Sequence, residues 1–280
     1  MIQAAVVDGF SLIGADALGG FWTLQDLQGW HDGVALRRSR QDKAQQDGAW
    51  ESTGNKSGRS ITVSGMARFR DPVSAKVASR NLRAIIGGGR ADMTVIDSGG
   101  ELHSTVELDD LKITSINELM FSWSVLLYAP DPLLYGPPAF GSATLAGGAG
   151  TGLVYPLVYP RDYGVLAGQT PGSVAVSNAG TASYWPRLRI DGPVPNPVVS
   201  LDVSGDWVRF NGVLATGQWL DIDLTARRVL LNGQVSLRQF VTSSGRWLAV
   251  PPGGGSVSWA ADAADPAAKL SVWSYEGAWS

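Results

Sequence analysis

The stretch W-L-D-I-D-L-T-A-R-R-V-L-L-N-G-Q-V-S, residues 219–236, decides the fold class of the C-terminal part of this chain. Leu220, Ile222 and Leu224 fall on one face of a strand, and Trp219, Asp221 and Asp223 fall on the other. Thr225–Arg227 is the hinge, and a second apolar run follows it. Carboxylates at i and i+2 have the spacing of an acid pair, yet no His, Lys or metal ligand accompanies them in the stretch. A strand with one face in a core and one in water gives the same pattern without chemistry. The stretch therefore predicts a hairpin in an antiparallel sheet, with the two aspartates on its wet side.

From Ser173 to the end the same texture repeats: S-V-A-V-S-N, Y-W-P-R-L-R-I-D-G, V-V-S-L-D-V, D-W-V-R-F-N-G, R-W-L-A-V, S-V-S-W-A and K-L-S-V-W-S. Turn signals every eight to twelve residues mark an all-β sandwich over 173–280. Seven of the eleven tryptophans lie here, so some must be outward. Val208 and Phe210 inward put Trp207 and Arg209 outward, and Leu188 and Ile190 inward put Trp185, Arg187 and Arg189 outward. Trp185, Trp207 and Trp219 are the candidate face for a sugar ring or a protein partner. Upstream, P-D-P-L-L-Y-G-P-P (130–138) breaks the composition, and a Gly-, Ala- and Pro-rich segment, with L-V-Y-P-L-V-Y-P-R-D-Y-G inside it, predicts a linker over 139–172.

Residues 1–138 alternate short strands with one helix. Strands are expected at Ala4–Val7, Phe21–Leu24, Val34–Arg40, Ser60–Arg70, Asp92–Asp97, Leu102–Leu111 and Phe121–Tyr128, with Asp109-Asp110 as solvated residues at a strand end. The helix opens at Asp71-Pro72, a cap followed by proline, and stops at Ile86 before Gly87-Gly88-Gly89. Its apolar positions are expected to cover most of its circumference, apart from a basic stripe of Lys76, Arg80 and Arg83. Between Gln41 and Arg59 lies a long polar loop holding Trp50, expected to be mobile in one protomer and ordered on a neighbour. Lys43, Trp50, Lys56 and Arg59 are the candidate subunit interface.

At 280 residues, 44% hydrophobic and 17% charged, the chain has room for two cores. A net charge of −3 gives no polyelectrolyte partner, so sequence-specific nucleic-acid binding is not expected. No cysteine and only His31 and His103 leave thiolate metal sites and histidine-based triads without ligands. G-G-A-G-T-G (147–152) does not fit a dinucleotide fingerprint, and no phosphate-binding loop, nucleophile elbow or zincin motif occurs. No cofactor, no metal and no catalytic residue are expected. No membrane-spanning run and no signal-like N-terminus occur, so a protein made in a cytosol is expected.

In order along the chain, S-N-A-G-T-A-S-Y-W-P-R-L-R-I-D-G, W-L-D-I-D-L-T-A-R-R-V-L-L-N-G and W-L-A-V-P-P-G-G-G-S-V-S-W resemble the C-terminal domain of distal tail proteins of long-tailed bacteriophages. Asn178, Gly180, Thr181, Pro186, Ile190, Gly192, Ile222, Asp223, Asn232, Gly233, Trp247, Pro251, Pro252 and Gly253 occupy the family's places, while its P-P-G-x-N turn departs here to P-P-G-G-G. The N-terminal layout is similar: strands, a long loop, one helix, then a strand running into Y-A-P-D-P-L-L-Y-G. The resemblance implies a mainly β chain, with an N-terminal ring-forming domain holding one helix and a galectin-like or carbohydrate-module-like jelly roll. It implies a homo-hexameric ring in the virion's tail tip, made in the host cytoplasm, joining tail tube to tip and leaving a channel for DNA. Tail tube protein, tail-tip proteins and tape measure protein would be its partners. The alternative is a carbohydrate-binding module that holds host cell-wall carbohydrate.

Overall fold

The structure, a computed structural model, describes residues 2–51, 54–86, 89–145, 172–263 and 265–280. They form two compact units, Met1–Gly136 with Trp279–Ser280, and Pro137–Ala278.

In the first unit the strands are β1 (Ala4–Val7), β2 (Phe10–Ser11), β3 (Gly14–Ala15), β4 (Phe21–Gln28), β5 (Leu36–Arg37), β6 (Arg40–Asp42), β7 (Ala49–Glu51), β8 (Asn55–Lys56) and β9 (Arg59–Arg68). After helix α1 (Pro72–Ile86) come β10 (Arg90–Asp97), β11 (Gly100–Asn117), β12 (Met120–Ala129) and β13 (Leu134–Tyr135). The main sheet runs β2-β1-β10-β11-β12-β9-β4-β3 and is antiparallel along this path. Its two end strands are separated in sequence only by Leu12 and Ile13. So short a connection, at about 3.5 Å per residue, bends the sheet round on itself. The concave side is the core, where Trp22, Ile61, Val63, Ala67, Val95, Phe121, Trp123 and Leu127 are buried. Trp22 meets Phe10, Phe69 and Phe121 edge-on at ring-centroid distances of 5.0, 6.2 and 5.7 Å. Gly65 is needed there, because a Cβ would stand 2.2 Å from the Thr23 carbonyl oxygen and 2.6 Å from Trp123. Asp109-Asp110 is not a strand end. It sits inside β11, at a bulge between Leu108 and Asp110.

The helix begins and ends where the sequence places it, and Asp71 Oδ1 accepts the Ser74 N–H at 2.8 Å. Its packing departs from the expected one. Ala75, Ala78 and Leu82 are buried in one stripe, while Val73 is 72% exposed. Small alanines on the sheet side and a wide polar remainder make it an ordinary amphipathic helix, not one that is apolar almost all round. Gly87 and Gly88 lie outside the described residues, as do 146–171 with the L-V-Y-P segment and the 147–152 glycines.

The second unit is a sandwich. Its strands are β14 (Pro138–Thr144), β15 (Gly172–Val176), β16 (Arg187–Asp191), β17 (Val194–Pro195), β18 (Val198–Leu201), β19 (Trp207–Phe210), β20 (Val213–Leu214), β21 (Trp219–Asp223), β22 (Arg228–Leu231), β23 (Val235–Ser236), β24 (Val241–Ser243), β25 (Gly255–Ala260) and β26 (Lys269–Tyr275). One sheet is β14-β26-β16-β21-β22-β23 and the other β15-β25-β18-β19-β24. Leu188, Ile190, Leu220, Ile222, Leu270 and Val272 line the first sheet's inner face, and Val199, Leu201, Val208, Val257 and Trp259 the second's. The segment expected as a linker from 139 opens instead with β14, which pairs with β26 from Pro138↔Tyr275 to Thr144↔Lys269. Its P-A-F-G-S-A-T composition conceals a strand whose side chains alternate between half-buried and exposed. R-W-L-A-V (246–250) is not a strand either. Trp247 takes a positive φ of 54° and is buried under the Arg238 guanidinium at 4.7 Å.

Candidate interaction surfaces

The hairpin at 219–236 forms as β21 and β22, closed by a turn in which Arg227 has φ 52°. Its outward row meets β16, with Arg187 opposite Asp223, Arg189 opposite Asp221 and Asp191 opposite Trp219. Arg187 grips Asp221 with two hydrogen bonds, Nε to Oδ1 at 2.8 Å and Nη2 to Oδ2 at 2.5 Å. Asp221 is only 7% exposed, so it is not on a wet face but beneath a guanidinium. The hydrogen bonds to Asp221 raise the Arg187 pKa above its already high ordinary value. Asp223 accepts the Ala226 N–H at 2.9 Å and lies 3.6 Å from Arg228. Both carboxylates are thus engaged by cations or backbone, an arrangement that holds strands together and leaves neither to move a proton.

The three candidate tryptophans do not share one face. Trp219 lies on the outside of the six-stranded sheet, half-buried, with the Arg189 guanidinium 4.3 Å above its ring. Trp185 precedes Arg187 by two residues and is 37% exposed at the same parity. Trp207 is on β19, in the opposite sheet of the sandwich, beside Ser200. Simple alternation carried no information on which sheet each strand joins.

A better aromatic surface was missed. Phe140 on β14 pairs with Trp273 on β26, and Trp273 pairs with Arg187 on β16. The two rings stand 5.3 Å apart, tilted by 53°, with Phe140 59% and Trp273 42% exposed. The alternation of K-L-S-V-W-S-Y already puts Trp273 outward, but Phe140 fell in the segment taken for linker.

Of the candidate interface residues, Lys43, Trp50 and Lys56 lie on a two-stranded arm. β5 pairs with β8 and β6 with β7, and Ser57 N–H donates to Ala35 O at 2.9 Å at the base. The polar run is therefore a hairpin that satisfies its own backbone, not an irregular loop. Trp50 is 69% exposed, with the Lys43 ammonium 5.1 Å from its ring centroid. Arg59 is not available to a neighbour: it is 4% exposed. Its Nη1 donates to the carbonyls of Gly29, Trp30 and Asp32 at 2.7–2.9 Å, and Nε and Nη2 donate to Pro132 O. Burial lowers its pKa from the ordinary value, with Asp32 opposing. Arg59 fastens the foot of the arm.

The motif glycines and asparagines are structural. Asn178, 2% exposed, donates to Ala182 O and Val250 O and accepts from the N–H groups of Gly180 and Ala278. Gly180 leaves no room for a Cβ, which would stand 1.9 Å from Ala278 O. Asn232 and Gly233 take φ 51° and 72° in the turn after β22, the left-handed region these residues tolerate.

Residues 179–279 match the family described as siphovirus-type tail component, C-terminal domain. No curated protein matches the chain. Among solved structures the chain is similar to the Dit protein (gp 19.1) of phage SPP1, with a TM-score of 0.62 and 14% identity over 97% of this chain and 98% of that one. A match at TM-score 0.49 and 12% identity, over 90% and 89%, is to the phage P2 baseplate in its activated conformation with Ca. Residues 179–279 thus resemble the C-terminal domain of siphovirus-type tail components, and the fold along nearly all of the chain is similar to that of SPP1 Dit.

Proposed function

We propose that the chain is a hub component of a siphovirus-type tail tip, and that six copies form a ring joining the tail tube to the tip and leaving a channel for DNA. The observation that carries the proposal is the shared fold over 97% of the chain with SPP1 Dit, described as a paradigm of the hub adsorption apparatus in phages infecting Gram-positive hosts. The protruding arm supports it, since Trp50 and Lys56 keep their surface free for a neighbour. Copies of itself, tail tube protein, tape measure protein and tip proteins are the partners. The reading needs no reaction and no cofactor. Light scattering at tens of micromolar, with labelled antibody on intact tails, tests it. The expected mass is six times 29.6 kDa, with label at the tail tip. A strict monomer, absent from tails, overturns it.

A second role, holding neutral saccharide of the host wall, is favoured by the Phe140–Trp273 pair. Two tilted, exposed rings offer flat apolar area, and Arg187 beside them has its charge matched by Asp221, which suits an uncharged polyhydroxy ring.

A further inference from the structure

Five residues make one continuous row across the outside of the six-stranded sheet. Phe140 on β14 is opposite Trp273 on β26, and Trp273 is opposite Arg187 on β16. Arg187 is in turn opposite Asp223 on β21, and Asp223 opposite Arg228 on β22. At about 4.8 Å between strands, the four steps span about 19 Å. None of the five is buried, whereas Ser271 and Asp221 of the next row are, so this row stands above its neighbour. Trp219 on β21 cannot take the place of Trp273, because the Arg189 guanidinium already covers its ring at 4.3 Å.

The row changes character along its length. At one end Phe140 and Trp273 offer flat apolar rings. From Arg187 onward it offers hydrogen bonds. Nε and Nη2 of Arg187 are held by Asp221, while its Nη1 has no partner among the described residues and the side chain is more than half exposed. Asp223 accepts the Ala226 N–H on Oδ1, and its Oδ2 lies 3.6 Å from Arg228 Nη2, too far for a hydrogen bond. A donor and an acceptor therefore stand side by side, each still able to bond outward. Every cation here has its anion, Arg187 with Asp221 and Arg228 with Asp223, so no net charge draws an ionic ligand. A peptide could not add here as a strand, because β26, β16, β21 and β22 are each paired on both sides. The ligand that fits is uncharged, has apolar ring faces, and carries groups that both donate and accept. Sugar hydroxyls do both.

We propose that this row binds an extended run of about four neutral sugar residues laid across the strands, one to each strand step. Ring faces lie on Trp273 and Phe140, and hydroxyls meet Arg187 Nη1, Asp223 and Arg228. Asp221 is a positioning residue, since its two bonds fix the guanidinium plane that aims Nη1. The inference rests on the saccharide reading above and gives that site a direction, a length and a polar end.

Calorimetry of the full-length protein with malto-, cello- and chito-oligosaccharides, from disaccharide to hexaose, tests it. In at least one series affinity should rise with each added residue up to about four and then level off, as the row's length requires. Arg228→Ala removes one exposed ion pair and should leave the melting temperature unchanged. It should weaken hexaose binding by roughly two- to tenfold, the loss of one hydrogen bond, with an effect that appears only at the longer chain lengths. Trp273→Ala should weaken every length. A hexaose that binds no tighter than the disaccharide, or that ignores Arg228→Ala, overturns the extended row and leaves a one-residue saccharide site at Phe140–Trp273 standing. An equal loss at every length in Arg228→Ala, with a lowered melting temperature, overturns it in favour of a structural role for Arg228. No binding from any of the three series overturns the saccharide reading and the row together. If a tail-tip protein is then retained by the wild type and lost by Trp273→Ala, the row is a protein contact instead.

Discussion

At the scale of single residues, charge and shape here serve attachment of strand to strand. Arg59 gathers four backbone carbonyls, Asn178 ties three chain segments, and Arg187 covers Asp221. Each removes a polar group from water only where partners complete it, the condition under which burial is tolerated. The residues left unused by such bonding are the exposed aromatics. Trp273→Ala should weaken binding of a neutral saccharide, with maltohexaose and cellohexaose as probes in calorimetry, by up to about tenfold for a lost stacking contact of about 0.5–1.5 kcal/mol. Its melting temperature should stay within about 4 °C of wild type, since the change is at a surface. Trp207→Ala, on the opposite sheet, should leave binding as it is. If Trp207→Ala removes binding and Trp273→Ala does not, the five-stranded sheet carries the site.

At the scale of elements, the arm is a hairpin with little burial along its described length. Its ladders close on themselves and its foot is held by Arg59 and by the Ser57–Ala35 bond. Replacing Leu36–Lys56 with Gly-Gly therefore keeps the foot intact. The trimmed chain should melt within about 2 °C of wild type, because surface changes cost about 0.5 kcal/mol or less. Its rings should dissociate at higher protein concentration, as measured by light scattering on dilution. Rings of wild-type stability would show that the arm is no strap.

At the scale of the whole molecule, the division between the units falls at Gly136 and Pro137, and β14 belongs to the sandwich. A fragment of residues 137–278 should therefore melt in one cooperative transition. A fragment beginning at 171 lacks the strand that covers β26 and loses the buried Leu145. Burial of that side chain contributes about 1.5–3 kcal/mol and each ladder bond about 1 kcal/mol, so its transition should fall by roughly 10 °C or more. Equal melts would mean that β14 is dispensable and that the sandwich core begins at Gly172.

The sequence by itself determined what is local. Period-two alternation set the inward faces of β9, β16 and β19, Asp71-Pro72 set the start of the helix, and Thr225–Arg227 set a turn, because each depends on neighbours a few residues away. The order of soft motifs from Asn178 to Gly253 was enough to indicate the family whose model matches residues 179–279. What tertiary structure alone decided is which strands lie side by side. That placed Trp219 and Trp207 on opposite sheets, brought Phe140 against Trp273 across 133 residues of chain, and buried Arg59 among carbonyls from two distant turns. A β-sheet joins residues remote in sequence through backbone bonds that any side chain permits, so its register leaves no local signature in the chain that forms it.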